Sequence, residues 1–292
     1  MKQAPFKYII FILLPLLLLN FIAAPAAQAC TLFAATGSSV RDGGVLIAKN
    51  RDRTPRESVL RVCSPKDGYK YLGLMTTHNL KQAAVAGINE KGLVVVNAWP
   101  SCLTDKEEEC GAVPLTPALL TRCASVDEVL AQKRLLAASY PVFVMVADRT
   151  KVAWIEVAPA GLVATKACEQ GVLYHTNHYL APQLLWANQK ACHSSRVRFR
   201  RIAELLGCRE GPFTFADFLD FSQDRHDGPD NSINRTGSTA SKTRTLATFV
   251  VQLSDDAPHV FVRLSNPGES DKIINLRLEP ALWTKGLLEK IS

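Results

Sequence analysis

Cys30 is the residue around which this sequence can organise chemistry. Before it stand a positive start at Lys2 and Lys7, an apolar core from Tyr8 to Leu19, and the small residues of Ala27-Gln28-Ala29, the three parts of a secretory signal peptide and its cleavage site. Cleavage after Ala29 would make Cys30 the first residue of the mature chain. A thiol there lies beside its own α-amine, whose reference pKa of about 7.7–8.0 leaves much of it neutral and able to take the thiol proton. One residue then supplies both nucleophile and base for attack on an amide carbonyl. Donors for the oxyanion and groups that hold amine and thiol in place are still required. Two other fates stay open for Cys30: a disulfide, as for any cysteine in an oxidising compartment, or acylation, which would make the chain a lipid-anchored binding lipoprotein.

Four further motifs follow in order. Lys49-Asn50-Arg51-Asp52 comes about twenty residues after Cys30-Thr31-Leu32-Phe33; then come Gly87-Ile88-Asn89-Glu90-Lys91-Gly92-Leu93, Tyr174-His175-Thr176-Asn177-His178 and Ser194-Ser195-Arg196. Together they resemble the N-terminal nucleophile cysteine hydrolases: choloylglycine hydrolases, penicillin V acylases, acid ceramidases and the acyl-coenzyme A:6-aminopenicillanic acid acyltransferases. The strand from Thr245 to Leu253 and Leu264-Ser265-Asn266-Pro267 are similar to the closing hairpin of the acyltransferase branch.

The resemblance implies roles at matching positions. Cys30 is the nucleophile and Asp52 the carboxylate that orients the freed amine. Asn177 donates to the oxyanion, and Arg196 organises the nucleophile's surroundings, with Arg198 two positions on as the alternative in an arginine-crowded helix. Asn97 and Trp99 fall where a second oxyanion donor or substrate contact is expected. Lys49 stands where the hydrolases usually carry arginine, and Arg51 lies nearby. The implied reaction is hydrolysis of a linear, non-peptide amide of a small N-acyl substrate, in the manner of penicillin acylases and choloylglycine hydrolases, with no cofactor. Transfer of the acyl group to an amine is the alternative within the family.

Composition sets the frame. The chain has 292 residues, 47% hydrophobic and 21% charged, with a formal charge of +7, values of a globular protein. Loss of Lys2 and Lys7 leaves about +5, too little for a nucleic-acid partner. No H-E-x-x-H, paired C-x-x-C, Walker-type or dinucleotide-binding glycine motif occurs, so no metal or nucleotide is expected. No second apolar run reaches the about 18 residues of a membrane span. A periplasmic or secreted protein without a stable membrane anchor is expected, its self-association left open. Residues 1–29 are read as the signal peptide and 30–292 as one domain. Among the 8 cysteines, Cys102 and Cys110 close a short loop and are the favoured pair, whereas Cys192 and Cys208 flank a helix too long to bridge.

The elements that must position these groups read as strands, helices, strands, helices, strands. Short apolar or alternating runs from Thr31 to Val96 suggest an antiparallel meander with one hairpin. Ser125 with Glu128 three residues on opens a helix from Val126 to Leu136. Ser194 or Ser195 is placed to cap a helix through Leu206, and Thr214 another through Phe221. The polar stretch 222–242 has no pattern and reads as a lid or binding loop, or a mobile segment. Two sheets with helices outside them follow, an α+β arrangement, and the resemblance sharpens this to a four-layer αββα sandwich.

Overall fold

The computed structural model describes residues 29–78, 81–104, 113–209, 211–281 and 283. Thirteen strands form two antiparallel sheets. The six-stranded sheet contains β1 (Ala29–Thr36), β2 (Val45–Arg53), β10 (Gly171–His175), β11 (Arg244–Leu253), β12 (His259–Leu264) and β13 (Lys272–Arg277), in the order β10-β1-β2-β11-β12-β13. The seven-stranded sheet runs in chain order through β3 (Ser58–Cys63), β4 (Tyr71–His78), β5 (Lys81–Asn89), β6 (Val94–Ala98), β7 (Val142–Ala147), β8 (Val152–Ala158) and β9 (Leu162–Cys168). The early strands are therefore not one meander. β1 and β2 pair with each other, and the chain crosses to the second sheet at β3.

Alternation along each strand sorts side chains into layers. Cys30, Leu32, Ala34, Val45 and Ile47 of the first sheet share a core with Val94, Val96, Val152 and Trp154 of the second. The other face of the seven-stranded sheet carries Leu93, Val95, Ile155 and Val157 against helices α1 (Leu115–Arg122), α2 (Val126–Ala131) and α3 (Lys133–Ala137). The other face of the six-stranded sheet carries Phe33, Ala35, Leu46 and Ala48 against Ile202 of α4 (His193–Gly207) and Phe218 of α5 (Phe215–Ser222). The layers run helix, sheet, sheet, helix, as expected.

The caps hold with two differences. Thr214 and Asp217 form a reciprocal capping box for α5, and the Ser125 hydroxyl accepts from the Glu128 N–H. The single helix read from Val126 to Leu136 breaks at Gln132, whose ψ of 44° is not helical. At α4 the N-cap is Cys192, and Ser195 lies within the first turn, its hydroxyl used for another purpose. Cys110 lies outside the described residues. Cys102 is instead in side-chain contact with Cys192, which raises the Cys102 thiol above its ordinary value and lowers that of Cys192.

The Gly87 to Leu93 motif has a structural reason. A Cβ at Gly87 would come within 2.7 Å of the Leu72 carbonyl, so only glycine lets β4 and β5 approach there. Asn89 donates to the Leu120 and Cys123 carbonyls and accepts from the Lys91 and Leu93 N–H groups. It fastens the β5–β6 turn to the end of α1.

Candidate active site

The site lies at one end of the β1–β2 pair. Antiparallel register sets Cys30 opposite Arg51 and Ala29 opposite Asp52. Pairing of β1 with β10 begins only at Leu32 and His175. The Cys30 N–H therefore extends past the end of β10 and donates to a side chain, Asn177 Oδ1, at 2.8 Å. The Cys30 carbonyl accepts from Arg198 Nη1. Both polar groups of the Cys30 backbone are thus held by side chains, those of Asn177 and Arg198, and Cys30 itself is 5% exposed.

Asn177 is fixed from three directions. Its Nδ2 donates to the Trp99 carbonyl at 2.7 Å, leaving the second N–H of that amide for another acceptor. Its carbonyl accepts the Ser101 N–H at 2.9 Å. Its own N–H donates to Ser195 Oγ at 2.8 Å, a hydroxyl that also meets Thr176 Oγ1 and His178 Nδ1. Burial and nearby cationic groups lower His178 to about 4, so it faces Ser195 as a neutral ring. His175, fully buried, bonds Glu156 at 2.8 Å, and that carboxylate also accepts the Leu180 and Ala181 N–H groups. This clamp shapes the turn that carries Asn177 and occupies His175, while Ser195 occupies His178, so both histidines that a metal reading of this segment would need are engaged.

The arginine at Cys30 is Arg198. It is 1% exposed and also bonds Thr31 Oγ1 and Asn177 Oδ1 at 2.9 Å each. Arg196 faces solvent. The periodicity of α4 explains the choice: Ser195, Arg198, Ile202 and Leu206 form its buried stripe, at spacings of three, four and four that follow one helical face. Stepping back four from Ile202 reaches Arg198 and misses Arg196.

Alternation along β2 sends its motif to two faces. Lys49 and Arg51 point between the sheets, on the side of Cys30. Lys49, 1% exposed, donates to the Val85 carbonyl at 2.7 Å and to Asn97 Oδ1 at 2.9 Å, and burial lowers its pKa to about 8. Asn97 spends its Nδ2 on Thr116, so both of its side-chain groups are engaged, the oxygen in holding Lys49. Arg51 donates to Ser58 Oγ and Thr76 Oγ1. Trp99 stacks on Tyr140 with ring centroids 4.7 Å apart and reaches the site through its carbonyl.

Asn50 and Asp52 point to the helical side. Asn50 Nδ2 donates to the Ser222 and Ile233 carbonyls. Asp52, 1% exposed, accepts from Thr245 Oγ1 at 2.7 Å through Oδ1, while Oδ2 has no hydrogen-bond partner. Burial pushes its carboxyl up, and Arg198 and Arg235 pull the other way. Arg235, whose Nη1 stands 4.0 Å from Asp52 Oδ2, was not legible in the sequence. It lies in the patternless stretch, which here is a bonded strap: Arg235 and Thr245 exchange two hydrogen bonds, and Asn234 N–H meets the Asp224 carbonyl.

Comparison with known proteins follows this geometry. The six- and seven-stranded sandwich is similar to a Caenorhabditis elegans N-acylethanolamine-hydrolyzing acid amidase ortholog, at TM-score 0.51 and 15% identity over 76% of this chain and 92% of that one. A mutant of the conjugated bile acid hydrolase from Clostridium perfringens aligns at TM-score 0.46 and 16% identity over 86% of this chain and 97% of that one. No curated protein sequence matches. The family model for acyl-coenzyme A:6-aminopenicillanic acid acyl-transferase matches residues 39–265, a span that takes in Asp52, Asn177, Arg198 and Arg235. With that match over most of its length, the chain belongs to the acyl-coenzyme A:6-aminopenicillanic acid acyl-transferase family.

Proposed function

We propose that the protein is an exported amidohydrolase that cleaves a linear amide of an N-acyl substrate through an acyl-enzyme on Cys30, after removal of residues 1–29. The observation that carries this reading is the hold on the Cys30 backbone nitrogen. It bonds the Asn177 side chain instead of a ladder neighbour, so the atom that becomes the amine already has its acceptor. Asp52, across the ladder from Ala29, keeps an Oδ2 that makes no hydrogen bond and stands 4.0 Å from Arg235 Nη1, an oxygen for the ammonium that forms when the amine takes the thiol proton.

The thiolate then attacks the substrate carbonyl. Charge moves onto the carbonyl oxygen, where the free N–H of Asn177 Nδ2 is the donor. Such a donor is worth roughly 2.7–4 kcal/mol in related chemistry. Lys49 and Arg51 add positive potential on the side the Cys30 side chain faces, and nearby cations favour thiolate. The ammonium returns its proton to the leaving amine, and water, deprotonated by the same amine, resolves the thioester. Family membership supports acyl-group chemistry, and the pattern of buried groups supports its assignment to Cys30.

The test is a panel of N-acyl amides with the exported wild-type protein and Cys30→Ala, each checked by intact mass. Wild-type protein should begin at an unmodified Cys30 and turn over at least one amide, with Cys30→Ala inactive. A diacylglyceryl adduct on Cys30, or turnover retained by Cys30→Ala, would refute the reading. Addition of an amine acceptor separates hydrolysis from acyl transfer by the product formed.

A further inference from the structure

Two nucleophilic side chains close to Asn177 have no part in the chemistry at Cys30. Cys102 and Cys192 are free thiols, 0% and 7% exposed, in the core shared by the two sheets. The chain brings them together from two loops. The Cys102 carbonyl accepts the Gln189 and Lys190 N–H groups at 3.0 and 2.9 Å, which lays the segment before α4 against the segment after β6. Cys192 Sγ folds back to the Lys190 carbonyl at 3.5 Å and accepts the Ser101 hydroxyl at 3.6 Å. This puts it on the Cys102 side chain, and the two thiols hydrogen-bond each other.

The two cysteines differ in readiness. Cys192 keeps the small exposure that Cys102 lacks, and it is the N-cap of α4, where the positive end of the helix favours thiolate. Hydrogen bonds from Cys102 and Ser101 pull its pKa down further, and the same bond holds Cys102 protonated. The place of the pair also matters, because both loops lead to Asn177. Ser101, beside Cys102, donates its N–H to the Asn177 carbonyl. Ser195, in the first turn of the helix that Cys192 caps, accepts the Asn177 N–H. The proposed oxyanion donor is clasped between two segments far apart in the chain, and the thiols meet where those segments touch.

We propose that Cys102 and Cys192 are a disulfide-forming pair, and that their bond braces the two segments that clasp Asn177. The Cys192 thiolate attacks one sulfur of an external disulfide, a small molecule or a protein disulfide carrier, forming a mixed disulfide and expelling one thiolate. Cys102 then attacks Cys192 Sγ, and its proton leaves with the second departing thiol. Two protein thiols are oxidised and one external disulfide is reduced to two thiols. The largest cause that holds Cys102 protonated, its bond to Cys192, ends once Cys192 is in the mixed disulfide. An oxidant of this class belongs to the compartment that the proposed export implies. Only its supply rests on that reading.

The test supplies its own oxidant and needs no turnover. Cys30→Ala protein is reduced, transferred into oxidised glutathione, then denatured, alkylated and mapped by mass spectrometry. Peptides carrying Cys102 and Cys192 should be found linked. Alkylation of both thiols, a glutathione adduct left on Cys192, or linkage of Cys102 to Cys110 would overturn the proposal. Wild-type protein from an exporting host should carry the same link without treatment; a link formed only with added glutathione would remove the export reading and leave the pair. Hydrogen exchange reads the brace. Oxidation should slow exchange of the Ser101 and Asn177 amides by about tenfold relative to those of β12, because local opening is suppressed, and Cys192→Ser should erase the difference between oxidised and reduced samples. Uniform slowing along the chain, or none at Asn177, would overturn the bracing role.

Discussion

The two faces of β2 carry the same kind of cargo and treat it differently. Toward the space between the sheets, Lys49 and Arg51 are buried cations whose hydrogen-bond partners are all neutral: Val85 O, Asn97 Oδ1, Ser58 Oγ and Thr76 Oγ1. Toward the helices, Asp52 is a buried carboxylate flanked by Arg198 and Arg235. On the helical face a carboxyl that burial pushes up is opposed by two guanidinium groups. The inner face of β2 holds two cations bonded only to neutral groups, and on the proposed mechanism the anion they suit is one that forms during reaction on the thiol of Cys30 or the oxygen it attacks. On the proposed mechanism, a period of two along one strand is enough to separate the groups that would position the amine from those that would stabilise the developing charge.

Removing Arg198 should break the helical face most severely. Arg198→Met leaves Asp52 facing Arg235 alone and frees the Cys30 carbonyl and Asn177 Oδ1. Loss of one member of a buried charge set costs about 3–5 kcal/mol, read as a drop in the denaturant midpoint, and activity should vanish with it. Arg196→Ala, two residues away and exposed, should stay within about 0.5 kcal/mol of wild type. Similar losses in both variants would contradict the assignment of Arg198.

Asp52→Asn keeps the shape and removes the charge. The freed amine then loses the anion that stabilises its protonated form, so proton transfer from the thiol becomes less favourable. The loss should be about 10²–10⁴-fold in kcat, with KM little changed, as for removal of a group acting in proton transfer. A rise in KM at constant kcat would instead make Asp52 a binding residue.

The contrast between these two predictions marks what could be read from residues alone. Cys30, Asp52 and Asn177 were legible because they sit in short motifs whose order survives without any knowledge of packing. Two sheets with helices outside them were legible because strand alternation and caps such as Thr214 are local, and the family resemblance supplied the four-layer order. Arg198 was nearly so, since Ile202 and Leu206 mark the buried stripe of α4, but motif spacing pointed to Arg196. Arg235 carried no local signal. Its position over Asp52 comes from two hydrogen bonds to Thr245, ten residues away across a stretch without periodicity. The split of Lys49-Asn50-Arg51-Asp52 between two faces follows from alternation, yet which face is which depends on the second sheet arriving over Lys49.

Ser195 tests the support beneath both faces. Ser195→Ala removes the acceptor of the Asn177 N–H and leaves that buried donor unsatisfied, at about 1–3 kcal/mol. If its role is to position Asn177, kcat should fall roughly tenfold or more while the affinity for substrate stays near wild type, and Ser195→Thr should restore part of the loss. A fall in stability with unchanged kcat would reduce Ser195 to a packing residue.

The smallest expected effect sharpens the comparison most, because it concerns charge alone. Lys49 has a folded pKa of about 8 against 10.5 for the free side chain. The unfolded chain therefore binds more protons between about pH 8 and 10.5, and this group makes stability rise with pH across that window. Activity should move the other way. Above about pH 8 the inner face loses one of its two cations, the thiolate and oxyanion lose that stabilisation, and kcat/KM falls along an alkaline limb. Lys49→Arg keeps the cation to higher pH, at an overpacking cost of about 1–3 kcal/mol in a fully buried slot. Its limb should shift upward by at least one pH unit, even if its peak rate is lower. A limb that stays near pH 8 in Lys49→Arg would assign the titration to the Cys30 amine or thiol, and the inner face would then owe its positive potential to Arg51.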